Sequence, residues 1–457
     1  MAKTAGRQVE IGIGIETTPG TAVAAADYFK WDSFSMQAMS DKTLLNSARG
    51  IRNKISNSLI IKQYGKGSLE FSPTVDILPY VLGLFMGTRN SAAAAGESTG
   101  AYDHTFTVQN ANASMKTATL LVAQGGVQTE RYVNCVVDSF DLTVDKDLAK
   151  VKIGVLGAFP DTGSISSSYT QDTLFSRNEL FATFGASLSA AAGTVATTTL
   201  TSDATSTADG GTVTIGTFNG PSIVYTFKTA LTGAAYEVLI GANAAANLTN
   251  LKAAINDTGT EGTNYGVGTN KHPSVVATTV GATTLVINAN QTGTAGNSIA
   301  TTNTATHLTF TGATMASGAA PAPTPLVSFT LSGNNNVLFD DAFLSGSAQP
   351  VTGGYIAGPL SIKGSYVVQF SDTVELAKYK SNTLHAGIFT MKGAAIGLVS
   401  QEKMQFKIGR MVLTKAPLEY AIDGITLIKQ EFEVQYDGTD KELTSVVTNT
   451  YAGTNYQ

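Results

Sequence analysis

One short phrase occurs twice in this chain. Positions 68–78 read "SLEFSPTVDIL" and positions 366–377 read "YVVQFSDTVELA", so Phe71 and Phe370 introduce the same run of small, β-branched and acidic residues. Chance similarity between two strand-to-helix junctions is one reading. Internal duplication is the other, and it constrains the fold more, because each element near one phrase then has a counterpart near the other. The surroundings favour duplication. "DSFSMQ" before the first phrase answers to "VSFTLS" before the second, and "SLIIKQYGKGSLEF" answers to "PLSIKGSYVVQF". Each flank closes on further alternating runs, "VVDSFDLTVDKDLAKVKIGVLGAF" in the first and "MQFKIGRMVLTKAPLEYAIDGITLIKQEFEVQYDG" in the second. A period of two marks strands with one buried face.

The phrase itself has a physical meaning. Phe71 and Phe370 end strands, and a helix is expected after each. Ser72 is placed to cap the first helix, with Pro73 at its first position, where a missing N–H costs nothing. Asp372 and Glu375 have capping-box spacing in the second. Gly87 and Gly387 then suit left-handed C-caps. Each copy reads as an antiparallel β-domain with one helix packed across it.

Between the copies the composition changes. Residues 187–320 are rich in Ala, Thr, Gly, Ser and Asn, and hold Lys228, Lys252 and Lys271 against Asp203, Asp209, Glu237, Asp257 and Glu261. "TVTIGTF", "SIVYTFKT", "SVVATTVG" and "TTLVINANQ" alternate as strands, and Leu248, Leu251 and Ile255 have the spacing of an amphipathic helix. The segment leaves through the Pro/Ala run "SGAAPAPTP" and reads as a small α+β module inserted into the repeat. The organisation expected is therefore 1–186 for copy one, 187–320 for the insert and 321–457 for copy two.

Composition excludes several functions. The chain has 457 residues, enough for two or three domains, and 14% of them are charged against a usual value of about 25%. A net charge of −5 argues against general nucleic-acid affinity, which needs clustered Lys and Arg to displace counterions. The single Cys135 rules out an internal disulfide and a cysteine metal cluster, and it lies in an apolar strand as a packing residue. His104, His272, His307 and His385 are scattered without metal spacing and read as exposed or capping residues. "GIGIETTPGTAV" lacks the third glycine of a dinucleotide loop; Thr18-Pro19-Gly20-Thr21 reads as a type II turn. "GKGS" at 65–68 precedes a strand and is not a P-loop. No catalytic constellation, metal site or cofactor site is expected. The opening "MAKTAGRQVEIGIG" has no apolar run of signal-peptide length, and no run is long enough for a membrane helix, so folding in the cytoplasm is expected.

The opening "GIGIETTPGTAV" followed by "DSFSM", the run "CVVDSFDLTVDKDLAKVKIG", and "VSFTLSGNN" followed by "GGYIAGPLSI" together resemble the tail tube proteins of long-tailed, non-contractile bacteriophages. The resemblance covers about 1–185 and 325–457, and the inserted module is similar to add-on modules of phage tail proteins. The resemblance implies a mainly β chain: two tandem tail-tube-like antiparallel β-sandwich or barrel domains, each with one packed helix, plus the small α+β insert. It also implies a virion protein, made and assembled in the host cytoplasm. Its partners would be copies of itself and other tail proteins such as the tape measure, terminator and distal tail proteins. Such proteins form stacked rings around a conduit for genome DNA, which passes without being held. A tandem chain would complete a six-fold ring from three subunits, with a homohexamer as the alternative. The competing reading is a decoration or adhesin protein whose insert binds cell-surface glycans.

Two residue sets follow for such an assembly. In copy one, "MSDKTLLNSARGIRNKISN" reads as a long loop with Lys42, Arg49, Arg52 and Lys54 against Asp41. Its counterpart in copy two carries Asp340 and Asp341, so opposite charges are candidates for contacts between or within rings. The lumen of a DNA conduit is expected to be neutral to acidic. Asp138, Asp141 and Asp145 in copy one and Glu431 and Glu433 in copy two are the candidate lumen acids.

Overall fold

A computed structural model describes residues 8–46, 55–94, 100–109, 115–125, 127–145, 147–166, 169, 174–218, 220–319, 323–344, 347–351, 355–370, 374–382, 384–396, 400–420, 425–436, 442–452 and 456. The first flank runs β1 (Val9–Ile15), β2 (Asp27–Tyr28), β3 (Trp31–Phe34), β4 (Gln37–Asn46), β5 (Ile55–Phe71), α1 (Leu78–Met86), β6 (Gly87–Ala93), β7 (Tyr102–Val108), β8 (Ala118–Gln124), β9 (Thr129–Val144), β10 (Lys150–Ala158) and β11 (Asp161–Thr162). Next come β12 (Leu180–Gly185) and α2 (Leu188–Ala192). The insert contains β13 (Val195–Ser202), β14 (Thr212–Ile215), β15 (Ile223–Lys228), β16 (Glu237–Leu239), α3 (Ala244–Asn256), β17 (Val275–Val280), β18 (Thr284–Thr292), β19 (Thr301–Asn303) and β20 (Leu308–Phe310). The second flank runs β21 (Thr324–Pro325), β22 (Ser328–Asn334), β23 (Ser361–Gln369), α4 (Val374–Lys380), β24 (His385–Ile396), β25 (Ser400–Lys415), β26 (Leu418–Glu419), β27 (Leu427–Val434) and β28 (Thr444–Asn449). The fold is mainly β, with antiparallel pairing nearly throughout.

Strand pairing repeats between the flanks. β1 pairs with β2 and β8, and β12 pairs with β21 and β24. The hairpin β8–β9 matches β24–β25, and both carry an irregularity at the same place, between Ala118 and Leu120 and between His385 and Gly387. β9–β10–β5–β3 then matches β25–β27–β23–β22. A second shared bulge falls at Asp138 in β9 and at Thr414 in β25. Bulges are fixed by local chain geometry, so two in the same places fix the register of the repeat.

That register corrects several expectations. Phe34 opposes Leu69 and Phe329 opposes Tyr366, so the counterpart of Phe71 is Val368 rather than Phe370. The repeated phrase is thus two residues out of step with the sheet; a slip of two leaves every side chain on its own face. The second copy begins at β12, before the insert, so Leu180–Gly185 groups with copy two rather than with 1–186. The insert occupies the β12–β21 connection. Its counterpart in copy one is the short link between β1 and β2, where the Thr21 N–H donates to the Thr18 carbonyl at 3.0 Å and Gly20 takes φ +75°.

The helices differ too. α1 starts at Leu78, not after Ser72, because the Leu78 N–H bonds to the Thr74 carbonyl and Thr74 Oγ1 accepts from the Ile77 N–H in a preceding turn. Its proline is Pro79, in the first turn. Gly87 does cap it with φ +87°. α4 ends at Lys380, the left-handed residue after it is Asn382, and Gly387 lies within β24. Asp372 lies outside the described residues.

The flanks share one core. Phe329 and Phe389 stack at 4.2 Å, Phe140 links Phe85 to Phe406, and every residue of α1 except Gly83 is buried there. Gly333 makes room for this: a Cβ there would lie 2.4 Å from the Phe85 ring. The insert has a separate core, with one sheet ordered β17-β18-β13-β20 and another ordered β16-β15-β14-β19. Leu248, Leu251 and Ile255 of α3 are fully buried in it, and Asn243 caps that helix by accepting from the Ala246 N–H at 2.9 Å. The insert's chain ends leave side by side, Thr194 and Ala319 exchanging backbone hydrogen bonds. α2 stays outside it, with Ala191 packed on Ala386 and Ile388.

Candidate assembly surface

Eight strands follow one another in the order β3, β5, β10, β9, β22, β23, β27 and β25, with β4 continuing β3 along β5 and β26 continuing β25 along β27. Within these eight strands the two copies meet at one seam; outside them, β7 of copy one also pairs with β28 of copy two. At the seam Ser139–Val144 of β9 pairs with Phe329–Asn334 of β22. The repeat gives each side of the seam a counterpart. Residues 415–420 correspond to 139–144, because Lys415↔Glu431 and Leu418↔Ile428 keep the register of Ser139↔Gly154 and Leu142↔Val151. Residues 34–39 correspond to 329–334. Among the described residues, no strand pairs with the outer edge of β3–β4 or with the outer edge of β25–β26 beyond Met411. The chain thus ends in two open edges that mirror the two sides of its own seam. The Pro417 carbonyl accepts from the Lys429 N–H on the inner side, so the missing proline N–H does not weaken the outer edge.

The face of this sheet away from the core is polar. Lysines and carboxylates alternate across it: Lys150 lies 3.5 Å from Asp32, Lys415 lies 3.0 Å from Glu431 and Lys429 lies 3.7 Å from Glu431. Hydrogen bonding from Lys415, then the nearby lysine charges, hold the Glu431 carboxyl below its ordinary range. Between the charges lie Ser68, Thr143, Thr330 and Ser365, the last two joined at 2.9 Å. Of the acids picked out from the sequence, Asp141, Asp145, Glu431 and Glu433 share this face; Asp141 sits opposite Lys152 and Glu433 opposite Lys363. Asp138 does not join them. It is the bulge residue, its carboxylate accepts the Val337 N–H at 2.9 Å and its carbonyl accepts from Asn335 at 2.8 Å.

The oppositely charged loops also look different in three dimensions. The copy-one segment is no loop over its described part. β4 and β5 form a long two-stranded arm, with Lys42 opposite Ile60 and exposed. Arg49, Arg52 and Lys54 lie outside the described residues. Asp340 pairs with Lys62 at 2.6 Å rather than with Lys42, and Asp341 is exposed. Lys62 is the residue that sequence reasoning missed; the partners are too far apart in the chain for any pattern to join them. That ion pair sits in a larger contact. The copy-two segment after β22 folds over the end of copy one, placing Phe339 at 4.7 Å and Phe343 at 6.2 Å from Tyr64. Ala342 and Tyr355 are buried there with Val136 and Leu156, and Val337 packs against them.

The histidines are not the surface groups expected. His104 is buried between Ser91 and Asn449, His272 is buried in the insert and His385 is buried at the start of β24; only His307 is exposed, 2.8 Å from Asp203. Desolvation lowers the pKa of His104, and it lowers that of His272 to about 4. Cys135 is buried with its thiol pushed up by burial. Glu16 is also buried, and four groups donate to it: the Gly20 and Asn134 N–H groups and the Thr117 and Thr119 hydroxyls, at 2.6–2.9 Å. It ties the first turn to the irregularity between β8 and β9, where Asn134 lies. Among the described residues no group of three or more His, Cys, Asp or Glu side chains is arranged to hold a metal. No protein-family model matches the chain, and no curated protein matches it.

Proposed function

We propose that this chain is a structural subunit that assembles with copies of itself into closed rings, and that the rings stack into the tail tube of a long-tailed, non-contractile phage. The carrying observation is the seam. Copy one and copy two are joined inside the chain by β9 and β22, and each chain offers the counterpart of both strands as an open edge. An exposed edge is a template for pairing, and a heterologous contact that repeats with a fixed rotation closes a ring. The seam between chains would place Phe34–Met39 beside Lys415–Tyr420 of the next chain, antiparallel, as Phe329–Asn334 lies beside Ser139–Val144.

The polar face then lines the lumen. Its alternating lysines and carboxylates neutralise one another, so DNA meets no basic track that would retain it. If copy-to-copy geometry is the same within and between chains, three chains supply six copies per ring. The sequence resemblance points the same way.

The test uses the purified full-length chain. Averaged end-on electron micrographs should show hollow rings or tubes, and native mass spectrometry should give three chains per ring. A Ser35→Cys, Glu419→Cys chain should form disulfide-linked multimers on oxidation, since the counterparts Thr330 and Thr143 are directly opposed. A monomer at all concentrations, or assemblies without that cross-link, would overturn the proposal.

A further inference from the structure

A cleft of about 900 Å³ lies between the insert and the copy-two flank. β12, β24 and β25 form its floor, and Asn290–Thr292 of β18 face them with Pro323 and Pro325 of the exit segment. The floor is the side of the sheet turned away from the core. Phe389 and Met391 of β24 pack in the core, so Ile388, Thr390 and Lys392 point the other way. On β25 the same alternation presents Lys403, Gln405 and Lys407, with Lys392 opposite Lys403 and Thr390 opposite Gln405. Three lysines thus line one cleft, and among the described residues no Asp or Glu lines it, in a chain of net charge −5. Asp103 lies 3.7 Å from Lys403 at one end, but it also accepts from the Thr448 hydroxyl. Lys407 has no carboxylate at ion-pair distance among the described residues. Burial first, and then the charge of Lys403, lower its pKa, a cost that a bound anion would offset.

We infer that this cleft binds an acidic saccharide chain, with its carboxylate or phosphate groups on Lys392, Lys403 and Lys407 and its hydroxyls on the amide and hydroxyl side chains between them. Asn178, Thr183, Asn290 and Gln291 complete that polar lining with neutral donors and acceptors. The volume is near the upper end of ligand pockets, about 300–1,000 Å³, and suits several sugar units rather than one small anion. An acidic peptide would gain affinity by pairing with a free strand edge. Lys403–Lys407 offers none, since β24 takes one side and β28 the other. Single-stranded nucleic acid would need stacking platforms. Phe181 is the aromatic ring of the lining, and the Lys392 ammonium already sits over it, 5.3 Å from the ring centre. The site is built within one chain and does not depend on self-assembly. In the proposed tube it opens away from the DNA path, because the face assigned to the lumen lies across the core, beyond the stacked Phe329 and Phe389.

The test is calorimetric titration of the full chain with two probes, hexagalacturonate for carboxylates and a pentamannose 6-phosphate for phosphate. At least one should bind, more weakly as salt is raised, and neutral maltohexaose should bind at least about ten-fold more weakly. Lys407→Gln should weaken binding of the acidic probe at least about ten-fold, and Asn290→Ala with Gln291→Ala about three-fold, with circular dichroism unchanged. Lys152→Gln with Lys363→Gln removes charge from the opposite, lumen-assigned face and should leave binding as it was. No binding of either acidic probe at about 1 mM, or binding indifferent to Lys407→Gln, overturns the inference. Tighter binding of hexaglutamate or of a thymidine octanucleotide than of either sugar also overturns it, and assigns the cleft to acidic peptide or to nucleic acid.

Discussion

Between neutral pH and pH 5 the acid sensitivity of the insert is carried chiefly by His272. His272 is fully buried; its Nδ1 accepts from the Ser274 and Val275 N–H groups at 3.2 Å, and its Nε2–H points at the Ile215 carbonyl at 3.4 Å. Protonation would set a new N–H against two backbone donors in a dry site. Burial therefore lowers the pKa from 6.5 to about 4. The sign follows from proton counting. Between those values the unfolded insert binds a proton that the folded insert refuses, so stability falls as pH falls through this window. The cost is about 2 kcal/mol at pH 5 and approaches about 3 kcal/mol below pH 4. Hydrogen exchange of the full-length chain, read on peptides covering β17 and corrected for intrinsic rates, should show protection about thirty-fold lower at pH 5 than at pH 7.5 if these amides exchange by opening of the insert. His272→Gln keeps an acceptor and a donor but cannot titrate, and should remove that dependence. A pH dependence that survives His272→Gln refutes the reasoning.

Three further outcomes follow from the packing. Deleting 195–318 and joining Thr194 to Ala319, which already touch, should leave assembly intact; deleting 187–320 also removes α2, uncovers Ala386 and Ile388, and should lower the melting temperature of the flanks. Glu16→Gln turns an amide N–H2, in either orientation, toward one backbone N–H that can only donate and one hydroxyl that must reorient, and should cost about 2–3 kcal/mol in urea unfolding. Phe329→Ala removes the ring stacked on Phe389 at the internal seam and should cost about 3–5 kcal/mol by the same assay.

Much of the architecture was legible because duplication repeats order as well as wording. The insert showed itself through composition, and α3 through Leu248, Leu251 and Ile255, which the core buries completely. The register of the repeat was not legible. Phe71 and Phe370 look equivalent, but the register makes Val368 the counterpart of Phe71, and a shift of two changes no face and so leaves no trace in an alternating pattern. The histidines were misread because their partners are distant: His104 meets Asn449, and His385 starts a strand rather than ending a helix. Asp138 was grouped with Asp141 and Asp145 because nothing in a continuous strand pattern announces a bulge.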